Sequence, residues 1–192
     1  MDSGNIQGLV DKTWTLFLDR DGVINEETVG TYVTTWEEFI FHDGVFEALR
    51  HLSDVFGNIV IVTNQRGVSR GIMSMDALKD IHSRMLSTIA ENGGRIDKIY
   101  ACTALSDEDH NRKPNTGMAT QAREDFPKID FKRSIMVGNS PSDMEFGKRV
   151  AMHTVFLTTK HGPYPLPHDM IDEQYPSLLS WAKSLKAAEL IG

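Results

Sequence analysis

Two aspartates, Asp19 and Asp21, stand one residue apart at the end of an apolar run and are followed by Gly22, in the string FLDRDGVIN. Two carboxylates this close at the end of a buried strand are unfavourable because of charge repulsion and desolvation. A divalent cation would offset both costs, and hard oxygen ligands favour Mg²⁺. The alternative is a turn in which Asp21 and Gly22 merely reverse the chain. Taken alone, the pair favours neither interpretation.

A second polar group follows another apolar run, in the string TNQRGVSRG. Thr63 and Asn64 can offer a hydroxyl, an amide and backbone N–H groups to a phosphate, and Arg66 and Arg70 add positive charge nearby. The alternative is a glycine-containing loop whose arginines point into solvent. For the two arginines the pattern does not decide between substrate contact and solvation.

Two further motifs add a lysine and more oxygen ligands. The tripeptide RKP at 112–114 contains Lys113, which could neutralise both the Asp19 carboxylate and an incoming phosphate. Most exposed lysines are solvated, so Lys-Pro alone is a weak signal. The string VGNSPSDM places Asn139 and Asp143 on a loop that starts a predicted helix. The alternative for this loop is simple helix N-capping.

The elements that must position these motifs alternate along the chain. Runs rich in β-branched or aromatic residues predict strands at 14–19, 58–63, 98–103, 134–139 and 154–159. Amphipathic segments predict helices at 43–52, 74–92, 116–126, 141–152 and 177–190. Strand alternating with helix indicates an α/β fold with a doubly wound, Rossmann-like parallel sheet and helices on both faces.

All four polar motifs follow predicted strands or lie on the loops that leave them. In a doubly wound sheet these strand ends meet at one crevice, the topological switch point. An acidic pair, hydroxyl and amide donors, a lysine and another oxygen-ligand loop are the parts that metal-assisted phosphoryl transfer needs. The 22–42 loop is too short for a large cap domain, so an open site is expected.

Composition limits the class of protein. The 192 residues predict a single domain spanning 1–192, with a core at about 13–160 and a C-terminal loop and helix at 161–192. The net charge of -7 argues against nucleic-acid and membrane partners. A single cysteine, no secretory signal and no long apolar run predict a cytoplasmic protein. A monomer is expected. Glu26 and Glu27 are expected on a solvated face.

The motifs DRDG (19–22), TNQ (63–65), RKP (112–114) and VGN…D (137–143) resemble the four signature motifs of the haloacid dehalogenase superfamily of phosphatases. The longer strings FLDRDGVIN, TNQRGVSRG, RKPNTGM and VGNSPSDMEFG resemble one branch of it, the D-glycero-D-manno-heptose-1,7-bisphosphate phosphatases and the related histidinol-phosphate phosphatases. The similarity extends from about residue 14 to residue 159.

The resemblance implies a role for each matching position. Asp19 would be the nucleophile and a Mg²⁺ ligand. Asp21 would be the general acid and base and would lend its backbone carbonyl to the metal. Thr63 and Asn64 would hold the transferring phosphate, and Lys113 would neutralise charge between Asp19 and that phosphate. The implied activity is hydrolysis of a small phosphomonoester, a sugar bisphosphate first, through an aspartyl-phosphate intermediate.

The chain departs from this branch in two ways. Asn139 stands where the family usually has an aspartate, and Asp143 would make up part of the lost metal affinity. Many members hold a structural Zn²⁺ before the RKP motif, but here only Cys102 and His110 could serve, so no Zn²⁺ is expected. Arg112 would contact the substrate. The alternatives are a histidinol-phosphate phosphatase and a catalytically weakened domain that binds a phosphorylated ligand, which Asn139 alone favours.

Overall fold

The structure is a computed structural model that describes residues 6, 8–27 and 30–189. Its strands are β1 (Thr15–Leu18), β2 (Asn58–Asn64), β3 (Lys98–Cys102), β4 (Ser134–Gly138), β5 (His153–Leu157) and β6 (Glu173–Tyr175). Its α-helices are α1 (Val45–Val55), α2 (Met75–Glu91), α3 (Gly117–Asp125), α4 (Pro141–Arg149) and α5 (Leu178–Glu189). Within these described residues, no helix has the length and apolar character needed to cross a membrane.

The six strands form one sheet in the order β3-β2-β1-β4-β5-β6, and each neighbouring pair is parallel. The chain therefore winds outward from β1 in one direction and then returns to build the other half from β4. The point of reversal lies between β1 and β4, where open α/β sheets form a crevice at the carboxyl ends of their strands. The predicted α/β fold is confirmed.

The predicted strands are confirmed within two residues at each end. Strand β6 was not predicted, because Glu-Gln-Tyr is short, polar and only half-buried at the edge of the sheet. Helix α4 ends before the predicted residue 152, where Ala151 adopts a left-handed φ of 63°. Residue 190, the predicted end of the last helix, lies outside the described residues.

The two faces of the sheet bury two apolar layers. Leu16 and Leu18 of β1 pack into the layer that α1, α2 and α5 cover, and Phe17 between them packs into the opposite layer. This alternation follows from the two-residue period of a strand, and both faces are buried because helices cover both. Trp181 is fully buried beside Phe56, with ring centroids 6.2 Å apart, and docks α5 against this core.

Candidate active site

A cavity of about 270 Å³ opens at the carboxyl ends of β1, β2 and β4. The predicted site residues that line it are Asp19, Asp21, Asn64, Arg112, Lys113, Asn139 and Asp143. They come from segments distant in sequence, and the order of the central strands brings them together. The predicted crevice at the topological switch point is therefore where these side chains meet.

A buried lysine lies at the floor of this cavity between two carboxylates. The Nζ of Lys113 is 2.9 Å from Asp19 Oδ1 and 2.6 Å from Asp143 Oδ1, and it also donates to the Val62 carbonyl at 2.7 Å. Burial alone would lower the pKa of Lys113, but Asp143 and Asp19 outweigh it and the pKa is raised. Lys113 is therefore held as an ammonium ion directly beside Asp19.

Asn64 holds the segment that carries this lysine. Its side-chain Oδ1 accepts from the backbone N–H of Lys113 at 3.0 Å, and its Nδ2 donates to the backbone carbonyl of Lys113 at 3.1 Å. The amide thus bonds both backbone polar groups of Lys113. The role given to Asn64 by resemblance was phosphate binding, and the structure adds this anchoring of Lys113.

The pKa of Asp19 is raised to about 7, first by burial and then by the nearby charge of Asp143, against the opposing effect of Lys113. Only one of its carboxylate oxygens is bonded to Lys113. A further positive charge brought to Asp19 would lower this pKa and favour the carboxylate that a nucleophile needs. The environment of Asp19 therefore suits a partner that carries positive charge.

Asp21 is held by residues that sequence analysis did not identify. The buried Arg20 donates to it at 2.7 and 3.0 Å, Asn25 at 3.0 Å and Gln65 at 2.8 Å. Burial would raise the pKa of Asp21, but Arg20 and the two amides outweigh it and the pKa is lowered. Gln65 also donates to Thr63 Oγ1 at 2.9 Å, and Thr63, a predicted phosphate-binding residue, is fully buried and is not among the residues that line the cavity. An arginine between two aspartates was the available signal for this arrangement.

The three predicted substrate-binding arginines are not equivalent. Arg112 lines the cavity and donates to Asp107 at 2.9 Å, whereas Arg66, which pairs with the same carboxylate, does not line it. Arg70 is exposed and donates to Tyr32 Oη at 2.9 Å. Arg66 shares Asp107 with Arg112, Arg70 bonds the wall residue Tyr32, and of these three arginines Arg112 alone lines the cavity.

Asp143 is fully buried and both of its oxygens have protein partners. Oδ1 accepts from Lys113, and Oδ2 accepts from the backbone N–H groups of Asn139 at 3.2 Å and Ser140 at 3.1 Å and from Ser140 Oγ at 2.7 Å. Ser140 and Asp143 form the capping box of α4. Asp143 therefore caps α4 and holds Lys113, and its expected role as a metal ligand stays a prediction.

Glu27 is not the solvated residue that was expected. Its Oε2 accepts from Asn139 Nδ2 at 3.2 Å, and its Oε1 pairs with Lys160 Nζ at 2.6 Å at the cavity wall. Gly22 has a φ of 80°, and an added Cβ there would lie 1.7 Å from Asn139 Nδ2. No pattern in the sequence identified Glu27, because a single glutamate in a loop carries no periodic signal.

The oxygen donors near Asp19 fit a hard cation such as Mg²⁺. Among the described residues, no group of three or more His, Cys, Asp or Glu side chains is arranged to enclose a metal ion. Asp19, Asp21 and Asn139 all line the cavity and carry carboxylate or amide oxygens, and Mg²⁺ typically takes one or two carboxylates and completes its octahedron with water. The expectation of no Zn²⁺ near Cys102 and His110 stays a prediction.

Comparison with known proteins identifies the family to which this chain belongs. Residues 16–159 match a family model described as polynucleotide kinase 3 phosphatase. A D-glycero-D-manno-heptose-1,7-bisphosphate 7-phosphatase of Chlorobaculum tepidum is 31% identical, over 86% of this chain and 92% of that protein. The corresponding Helicobacter pylori enzyme, named for the β anomer, is 32% identical over 88% of this chain and 96% of its own length. A Mycobacterium bovis enzyme named for the α anomer is 40% identical over 72% and 73%.

A solved structure gives the same result. The D,D-heptose 1,7-bisphosphate phosphatase from B. bronchiseptica, crystallised with magnesium and phosphate, superposes with a TM-score of 0.79 at 25% identity, over 91% of this chain and 98% of that one. The sequence and fold comparisons thus agree. The chain belongs to the polynucleotide kinase 3 phosphatase family of the haloacid dehalogenase superfamily, as a phosphatase that hydrolyses phosphomonoesters.

Proposed function

We propose that this protein is a magnesium-dependent phosphatase that removes one phosphate from a sugar bisphosphate, with D-glycero-D-manno-heptose 1,7-bisphosphate as the first candidate. The observation that carries the proposal is the Lys113 ammonium bonded to Asp19 at the floor of the cavity. This pair combines a nucleophile with a fixed positive charge that can meet the oxygens of a phosphate. The names of the relatives supply the candidate substrate.

The first half of the reaction forms a covalent intermediate on Asp19. Its carboxylate oxygen bonds to phosphorus in line with the leaving oxygen, and the phosphorus–oxygen ester bond breaks. Lys113 neutralises charge between the nucleophile and the phosphoryl oxygens. Asp21 gives a proton to the leaving sugar oxygen. Because the contact with Arg20 lowers its pKa, Asp21 must first leave Arg20 and take up that proton from solvent.

The second half of the reaction regenerates the enzyme. Asp21, now a carboxylate, takes a proton from water as that water attacks phosphorus, and the bond between phosphorus and Asp19 breaks to release inorganic phosphate. Asp19, the main-chain carbonyl of Asp21 and Asn139 would hold Mg²⁺, which when bound neutralises negative charge on the transferring phosphate. Asp143 keeps Lys113 in place through both steps.

The character of the cavity supports a small, doubly charged substrate. Arg112 and Lys160 add cationic side chains to its wall, on segments that follow β3 and β5. A volume of about 270 Å³ suits a sugar phosphate better than a polymer. The net charge of -7 also disfavours a nucleic-acid substrate, whose binding needs cationic excess.

Phosphate release from a panel of substrates tests this proposal. The panel holds both anomers of heptose 1,7-bisphosphate, histidinol phosphate, hexose phosphates and a 3′-phosphorylated oligonucleotide, each with Mg²⁺. We expect turnover of one heptose anomer, lost with EDTA and in Asp19→Asn. Preference for histidinol phosphate would favour the alternative substrate, and full activity in Asp19→Asn would exclude the proposed nucleophile.

A weakened domain that only binds phosphorylated ligands is the competing function, because Asn139 brings no charge to the cation site. Asn139→Asp distinguishes the two. If the natural chain hydrolyses none of these substrates and Asn139→Asp restores hydrolysis, the chain is a binding domain. If the natural chain already turns over a sugar bisphosphate, the binding-only function is excluded.

A further inference from the structure

We propose that Glu27 is a positioning residue that turns the Asn139 amide so that its carbonyl oxygen faces the cation site. The inference rests on the proposed function, since it concerns the same Mg²⁺ site. It assigns a role to a loop residue that no motif identified. It also explains how a neutral amide can serve where a cation must be bound.

The chemistry of the contact fixes the orientation of the amide. Asn139 is 2% exposed, and its Nδ2 lies 3.2 Å from Glu27 Oε2. A carboxylate can only accept hydrogen bonds, so the NH₂ end of the amide must face it. The reverse orientation would bring two oxygens together. Asn139 Oδ1 is therefore directed away from Glu27 and stays available as a ligand.

The backbone of Gly22 restricts the same NH₂ end of the amide. Asn139 Nδ2 occupies the space that a Cβ of Gly22 would take, at 1.7 Å from the position of that atom. The amide therefore lies directly against the glycine backbone. Contact with Gly22 limits how far the side chain can swing, and the hydrogen bond to Glu27 selects which end is turned inward.

Lys160 holds Glu27 in this position. Its Nζ lies 2.6 Å from Glu27 Oε1, while the other carboxylate oxygen serves Asn139, so each oxygen has a separate partner. The preceding residue, Thr159, donates to the Gly22 carbonyl at 2.7 Å and ties the segment after β5 to the loop after β1. Lys160, Glu27 and Asn139 thus form a continuous chain from the protein surface to the cation site.

The affinity for Mn²⁺, measured by electron paramagnetic resonance as a probe of the Mg²⁺ site, tests this role without substrate. We expect Glu27→Ala to weaken binding about tenfold, in the range found when a residue that orients a metal ligand is removed. Glu27→Gln should recover much of the loss, because its amide oxygen can still accept from Asn139. Glu26→Ala is the matched control: it removes the same charge from the neighbouring exposed residue and should change affinity less than about twofold.

Glu27→Ala made in an Asn139→Asp background tests whether the loss of Mn²⁺ affinity disappears or reverses. There the Glu27 carboxylate faces another carboxylate instead of an NH₂ group, so Glu27→Ala should leave Mn²⁺ affinity unchanged or increase it. An equal loss in both backgrounds would overturn the inference, as would a loss equal to that of Glu26→Ala. Thermal unfolding of each variant verifies that it is folded.

The two proposals fail in different ways. If the natural protein binds no Mn²⁺ and hydrolyses no phosphomonoester, the proposed function fails and the inference with it. If the natural protein does both and Glu27→Ala binds Mn²⁺ with unchanged affinity, only the role of Glu27 is refuted.

Discussion

Asp19→Asn should stabilise the metal-free protein above neutral pH, although it removes the proposed nucleophile. The folded protein raises the pKa of Asp19 from 3.8 to about 7, chiefly through burial and through the charge of Asp143. A raised carboxyl pKa contributes stability below the unfolded value, near 4, and this contribution is lost as pH rises through about 7. Above that pH the folded state must hold an unfavourable buried charge, which asparagine does not carry.

The magnitude follows from the size of the shift. At about 1.4 kcal/mol per unit of pKa, a shift from 3.8 to about 7 corresponds to about 4 kcal/mol at most. Part of this is offset, because Lys113 loses one of its two carboxylate partners when Asp19 is replaced. We therefore expect Asp19→Asn to raise the free energy of unfolding by about 1–3 kcal/mol near pH 8.

Urea denaturation with EDTA, at a series of pH values from about 5 to about 8, measures this difference. The stability of the natural protein should fall relative to Asp19→Asn as pH rises, and the curves should converge toward pH 5. The exposed Asp169 supplies the matched control, since Asp169→Asn makes the same chemical change outside the cavity and should leave the pH dependence unaltered. A variant that is less stable than the natural protein at pH 8 would refute the electrostatic account of Asp19.

Three further substitutions test other parts of the site and the core. Lys113→Met leaves the buried Asp143 unpaired and should cost about 3–5 kcal/mol in urea denaturation; a loss below about 1 kcal/mol would contradict the buried ion pair. Gly22→Ala should weaken Mn²⁺ binding and lower the melting temperature, because the new Cβ meets Asn139; a variant unchanged in both would contradict that close contact. Trp181→Ala should cost about 3–5 kcal/mol by the same assay without changing Mn²⁺ affinity, and an affinity change would show coupling between α5 and the site.

The fold could be predicted because its strands are short, apolar and separated by helical patterns. This is the sequence pattern expected of a parallel sheet that is buried on both faces. Asp19 and Lys113 could be predicted because motifs mark them, at the end of β1 and on the loop before α3 respectively. The side chains that bond and position the site aspartates could not be predicted in this way. Gln65 donates to Asp21 from 44 residues further along the chain, and such a long-range contact leaves no local pattern. Arg20 adjoins Asp21 in sequence, but its burial depends on contacts with the distant residues Phe39 and His82. Glu27 was misassigned for the same reason.

The pairing of cationic side chains with carboxylates explains why Asp19, among the three aspartates, is suited to be the nucleophile. Of the three aspartates, Arg20 forms an ion pair only with Asp21, whereas Lys113 forms ion pairs with both Asp19 and Asp143. Three carboxylates and two cations leave a formal charge of -1 among these five groups, and Asp19 has the weakest compensation, as its raised pKa shows. A divalent cation would change that charge to about +1, which favours a phosphate dianion at the same place. The uneven pairing that destabilises Asp19 in the metal-free protein is thus also what would make the site attract first a cation and then a phosphate.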